Sequence, residues 1–321
     1  MIANLHISCY HELIPNSPKF FILSLEHYLP SLPPTVCDVF KAAAIDTWHR
    51  IQFSRSTPRM KILETTVTQN IVYEMRLLKD RYPALDYKLF ESTDERANGD
   101  DLELSVVQFD NKEITYAIQS KIIYHRRGKY GVKLHEGYYS RLNHLVGKPP
   151  LQQKQVKLLL DYADANNFVP LYMFYNYVMG SRLAPAELYG CSIISAEYLK
   201  KNHTAAHGNL DEKTKFSQLH PSAAFPWHEL VCSFINLTKD EILKKLSIET
   251  GGEIRTHRPA ELMGNGWSEI ELIPDTPNIE EQKGILITER SFDLEQYDNN
   301  KIQEQPPVFS PKFKIVINTL K

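Results

Sequence analysis

Apolar positions along the chain follow two rhythms. Over 33–53, "PPTVCDVFKAAAIDTWHRIQF" sets Val36, Phe40, Ala44, Trp48 and Ile51 at helical intervals behind a proline pair, which predicts a helix. The stretch 56–61 breaks that pattern. Val67, Ile71, Met75 and Leu78 then mark one face of a second helix over 64–82, stopped by Pro83. Strand-like runs follow at 86–92, at about 102–109 and at 114–123, with a polar connection at 93–101. A third helix is predicted over 152–167 and a further strand over 168–177. Helix, three strands, helix, strand is an α/β order, and it predicts a mixed central sheet flanked by helices. Residues 178–235 add turns and helices. Beyond 236 the chain turns polar and acidic, and it closes on one strand pattern, "KFKIVINTL". Three regions result: 1–60 with its helix at about 35–53, a core over 61–235, and a polar C-terminal extension over 236–321.

Composition narrows the class. The chain has 321 residues, 42% hydrophobic and 24% charged, with a net charge of −2. That suits a globular protein with a sizeable core, and any contact with a polyanion must come from a local patch. The four cysteines, at 9, 37, 191 and 232, show neither Cys-x-x-Cys spacing nor a zinc-type cluster with histidine. The N-terminus lacks the pattern of a signal peptide. The longest uncharged apolar run, 168–180, is too short to span a bilayer. A reduced, soluble, cytoplasmic protein with no membrane contact is expected.

The stretch 98–123, "NGDDLELSVVQFDNKEITYAIQSKII", departs from a plain apolar hairpin. Its first strand opens on Asp100, Asp101 and Glu103, and its second carries Gln119 and Lys121. Side chains alternate along a strand, so register decides whether these groups share a face. A two-residue turn at 111–112 pairs Glu103 with Ser120 and separates them. A three-residue turn at 110–112 pairs Glu103 with Gln119 and Asp101 with Lys121. Asn-Lys is not the dipeptide a tight primed turn requires, so the longer turn is expected. On one face, Asp101 and an oxygen of Gln119 suit Mg²⁺ or Mn²⁺, which take hard oxygen ligands with water and phosphate. Lys121 would position a water and offset developing negative charge, and an acid from the preceding helix would complete the site. The same pattern also suits a solvated sheet face with surface ion pairs.

Element order and residues together resemble the PD-(D/E)xK nuclease superfamily, whose core is α-β-β-β-α-β. That resemblance matches an acid on the helix to Glu64, the strand aspartate to Asp101, and the acid-x-Lys element to Gln119-Ser120-Lys121. The Gln-x-Lys form is similar to the Mrr-like branch. A narrower resemblance, over roughly 35–235, is to a bacterial family of Mrr-like proteins. It rests on "ETTVTQ", "NGDDLEL", "IQSK", "QQKQVKLLLDYA", "PLYMFYN" and "PWHELVC". It implies a restriction-endonuclease-like fold and an Mg²⁺- or Mn²⁺-dependent endonuclease that hydrolyses DNA, with RNA as the lesser expectation. It also implies a role in prokaryotic antiviral defence, acting as a homodimer or with partner defence proteins. Glu64, Asp101 and Gln119 would bind the metal, with Glu103 as a further ligand or orienter and Lys121 beside the attacking water. Glu74 competes with Glu64 for the place of the helix acid. A module that keeps this fold and binds nucleic acid without turnover is the alternative, as is a subunit of a defence complex.

The segment 121–133 holds five Lys/Arg and no acid. Arg126, Arg127, Lys129 and Lys133 are candidates for gripping phosphates, or else form a solvated loop. Gln155, on the third helix, would face the site or lie on the helix surface. Ser192 and Ser195 lack the Gly-x-Ser-x-Gly setting, so no serine hydrolase is expected.

Overall fold

The structure is a computed structural model that describes residues 24–57, 60–92, 101–107, 113–125, 137–178, 186–207, 214–236, 241, 244–245, 267–269 and 307–319. Helix α1 (Val36–Ser56) begins on a capping box: the Thr35 hydroxyl accepts from Asp38 N–H at 3.2 Å, and Asp38 accepts from Thr35 N–H at 2.9 Å. Helix α2 (Glu64–Arg81) buries Val67, Ile71, Met75 and Leu78, the four positions its periodicity marks. Three strands follow: β1 (Tyr87–Ser92), β2 (Leu102–Val107) and β3 (Glu113–Ile122). Helix α3 (Gln155–Asn166) leads into β4 (Val169–Tyr175), β5 (Cys191–Ser195), α4 (Ala196–His207), β6 (Phe225–Pro226), β7 (Trp267–Glu269) and β8 (Phe313–Asn318).

These strands form one sheet in the order β6-β5-β4-β3-β2-β8-β1-β7. It is mixed, since β3 runs parallel to β4 and antiparallel to β2. Helix α2 packs on one face, where the Thr68 hydroxyl meets Tyr175 OH at 2.7 Å. Helix α3 packs on the other, where Tyr162 donates to Glu103. The chain is thus an α/β fold with a mixed central sheet between helical layers.

Order along the chain is not order across the sheet. Strand β8, from the polar C-terminal region, lies between β1 and β2, antiparallel to the first and parallel to the second. Its apolar residues Phe313, Ile315 and Ile317 join the core. Lys314 sits opposite Glu103, with Nζ 3.2 Å from Oε2.

Helix α1 lies against the other half of the sheet. Phe40 stacks on Trp227 at 4.3 Å, and the indole N–H donates to Phe40 O at 2.8 Å. Gly190 is required there, because a Cβ would fall 1.8 Å from Ala44 O. The same packing corrects the expectation of reduced cysteines. Cys37 and Cys232, 195 residues apart, are joined by a disulfide with Cα atoms 5.1 Å apart. No local spacing announces that pair; the seating of the first turn of α1 on the 229–232 helix creates it.

A polar chain runs through the core. Tyr139 OH donates to Asn176 Oδ1 at 2.6 Å, Asn176 Nδ2 donates to Ser192 Oγ at 3.0 Å, and Ser192 Oγ lies 2.6 Å from His220 Nε2. His220 Nδ1 lies 3.1 Å from Phe216 O. A carbonyl only accepts, so Nδ1 carries the proton and Nε2 accepts from the serine. Ser192 is fully buried and the imidazole is 5% exposed, so the pair sits in the core. Burial pushes His220 down to about 4 from 6.5. The unfolded chain therefore binds this proton first, and stability falls as pH drops from 6.5 toward 4. The contribution lost by pH 5 is about 2 kcal/mol. Asp46, raised by burial to about 6, titrates in the same window with the opposite sign. The expected result in urea unfolding is that His220→Gln shifts the stability change from pH 7 to pH 5 by about 2 kcal/mol in favour of pH 5, leaving the opposite-signed Asp46 contribution in place. An unchanged difference would show that His220 takes up its proton as readily in the fold as in the unfolded chain.

Candidate functional site

Antiparallel pairing of β2 with β3 brings the start of one strand beside the end of the other. The observed register sets Glu103 opposite Ala117 and Leu102 opposite Ile118. Continued by one residue, it brings Asp101 beside Gln119. The expected pairs, Glu103 with Gln119 and Asp101 with Lys121, are therefore corrected by a two-residue shift. An even shift preserves the face, so Asp101, Glu103, Gln119 and Lys121 still share one side of the sheet. The connection that sets the register, 108–112, lies outside the described residues. The start of β2 is pinned by its new neighbour, since Lys312 N–H donates to Asp101 O at 3.0 Å.

At this end of the sheet lies a cleft of about 270 Å³, lined by Glu64, Asp101, Gln119, Lys121, Tyr124, Ser140, Arg141, His144 and Gln155. Glu64 is the first residue of α2 and reaches the end of β3. Its Oε1 accepts from Ile122 N–H at 3.1 Å, and its Oε2 lies 3.7 Å from Lys121 Nζ. Lys121 is 4% exposed and Asp101 7%, so both charges are largely shielded from bulk water. Gln119 accepts from Gln155 Nε2 at 2.7 Å. Gln155 opens α3, so the positive end of that helix adds to the field of Lys121.

Two other candidates lie elsewhere. Glu103 accepts from Tyr162 OH and pairs with Lys314, so both its oxygens are engaged beneath α3, and it does not line the cleft. It braces the sheet where a metal ligand or orienter was expected. Glu74 accepts from Leu25 N–H at 3.1 Å and pairs with Arg50 at 3.2 Å, which ties α2 to α1 and keeps it out of the cleft. Arg126, Arg127, Lys129 and Lys133 lie outside the described residues.

Ser140, Arg141 and His144 are cleft residues that no sequence signal singles out. They sit on a loop that follows the basic segment, where spacing carries no periodicity to read. The loop is held firmly. Leu142 is fully buried, and its carbonyl accepts from Tyr172 OH at 2.7 Å. Asn143 Oδ1 caps Val156 N–H of α3 at 3.2 Å, and Gln155 N–H donates to His144 O at 3.0 Å. Leu145 and Val146 pair with Gln153 and Lys154. Arg141 takes a left-handed φ of 57°, and His144 Nδ1 lies 3.1 Å from Arg141 O. Burial holds the His144 imidazole below the usual histidine range, with the charges of Lys121 and Arg141 pressing the same way and the Arg141 carbonyl opposing.

The donors at this cleft are two carboxylates and a side-chain amide, all oxygen. Gln155 Oε1, buried and without a hydrogen-bond partner among the described residues, adds another. Such a set fits a hard divalent cation that keeps waters and takes substrate oxygens. Among the described residues, no group of three or more His, Cys, Asp or Glu is placed to hold a metal ion, so amide and substrate oxygens and water would have to complete any coordination here. Among the described residues no helix is long and apolar enough to cross a membrane.

No curated protein and no solved structure matches the chain. A family model does match, over residues 36–316, from the first turn of α1 to the interior strand β8, and the protein belongs to that family, DUF6615, a family of unknown function.

Proposed function

We propose that the protein is a metal-dependent nuclease of the PD-(D/E)xK kind that hydrolyses phosphodiester bonds of DNA. The observation that supports this reading is the convergence of Glu64, Asp101, Gln119 and Lys121 on one cleft, from α2, the start of β2 and the end of β3. Asp101, Glu64 and the Gln119 carbonyl would hold Mg²⁺ or Mn²⁺. Bound there, the cation would lower the pKa of a water and offset charge on the phosphoryl group under attack. Lys121 lies 3.7 Å from the Glu64 carboxylate and would hold the attacking water while stabilising the charge that develops. Gln155 fixes the Gln119 amide, so the ligand oxygen is oriented before substrate arrives. Prokaryotic antiviral defence is the setting we propose for this activity, on the resemblance to Mrr-like nucleases.

One observation favours a second reading, a nucleic-acid-binding module without turnover. The Gln119 carbonyl and both Glu64 oxygens already have partners within the protein. Incubation of the purified protein with supercoiled plasmid and Mn²⁺, against an EDTA control, separates the two. Nicked or linear product that EDTA suppresses is expected. Retention of DNA in a gel shift without any product would replace the nuclease reading with the binding one.

A further inference from the structure

We propose that Arg141 anchors a backbone phosphate of the bound nucleic acid, on the cleft wall facing the Asp101 and Glu64 carboxylates. This inference rests on the nucleic-acid reading of the cleft and names the group that would hold the strand beside the reacting centre.

Arg141 is the cleft's exposed cation, in contrast to Lys121, which is buried against Glu64. No ion pair engages its guanidinium among the described residues. A guanidinium offers a planar fork of donors that matches two phosphate oxygens at once. Phosphate contacts of this kind fix the register of a strand without reading its bases.

The mount for that side chain is stiff. Its φ of 57° is unfavourable for a residue with a Cβ and needs its surroundings to hold it. Those surroundings are the His144 imidazole on the Arg141 carbonyl, the buried Leu142 carbonyl under Tyr172 OH, and Asn143 on the first turn of α3. These ties hold Arg141 beside the same cleft that Asp101 and Lys121 line. The first turn of α3 adds positive potential at that wall through Gln155.

The test uses the full chain carrying Asp101→Asn, so that bound DNA persists, and a fluorescein-labelled single-stranded oligo(dT) as probe. Affinity is measured by anisotropy over a series of NaCl concentrations. Adding Arg141→Gly is expected to weaken binding roughly tenfold and to reduce the salt slope by about 0.7, the loss of one single-strand phosphate contact. Arg141→Lys should recover part of the affinity and all of the slope, since it keeps the charge and loses the fork. Glycine accepts a positive φ, so the melting temperature of Arg141→Gly should hold or rise, which separates lost binding from lost folding. Unchanged affinity and slope in Arg141→Gly overturn the proposal, as does an Asp101→Asn parent that binds no oligonucleotide. Weakened binding by Arg141→Gly alongside a wild type that never cuts DNA upholds the phosphate anchor and removes only the nuclease reading.

Discussion

Asp101→Asn and Lys121→Met are each expected to lower DNA cleavage by roughly 10³-fold or more while leaving the fold in place. The two substitutions fail for different reasons, and the difference is measurable. Asparagine keeps the shape of Asp101 and its backbone link to Lys312 but removes the charge that would hold a cation. Calorimetric titration with Mn²⁺ should therefore show weakened binding in Asp101→Asn. Methionine keeps most of the Lys121 volume but removes the ammonium beside Glu64. Mn²⁺ binding should survive in Lys121→Met, because Asp101, Glu64 and Gln119 all remain, and only turnover should fall. Both side chains are largely shielded, so Lys121→Met leaves Glu64 with the Ile122 N–H and the water of the cleft, and the melting temperature should fall while the fold persists at assay temperature. Wild-type cutting by either variant would remove the cleft as the reacting centre.

The second large effect concerns stability. Lys314→Met is expected to destabilise the fold by about 3–5 kcal/mol, because it strips the counter-charge from a carboxylate held inside the sheet. Glu103 is 1% exposed and Lys314 8%, on directly opposed positions of β2 and β8. The Tyr162 hydroxyl remains to Glu103 but carries no charge. Removing both charges together, in Glu103→Leu with Lys314→Met, should restore most of the loss, since two apolar side chains of similar length can pack where the ion pair stood. Urea unfolding of the wild type, both single variants and the double variant completes the cycle. A single Lys314→Met variant within about 1 kcal/mol of the wild type would mean that water reaches Glu103, and the buried-pair account would fail.

These expectations differ in how much of them can be read from the chain alone. Local periodicity carried the elements well. The faces of α2 and the pattern of β8 were evident, as was the order of helices and strands from α2 to β4, because each depends on residues within a few positions of one another. The shared face of Asp101, Gln119 and Lys121 was legible too, since strand alternation has a period of two and the observed register differs from the expected one by an even number. Gln155 was readable as a residue on the correct helix, though only packing turned it toward Gln119.

Long-range pairing decided the rest. Nothing near 313–318 states that this strand enters between β1 and β2, yet that insertion supplies Lys314 and draws Glu103 out of the site. Cys37 and Cys232 meet because α1 docks on the 229–232 helix, not because of any spacing between them. Arg141 and His144 reach the cleft because Tyr172 and α3 hold an aperiodic loop in place. The sequence by itself thus determined the elements, their faces and the chemistry of the strand ends, since those arise from neighbours along the chain. Only the tertiary structure decided which of those acids face a cleft and which are consumed as braces, because partners outside local sequence range, from Arg50 for Glu74 to Lys314 for Glu103, set that choice.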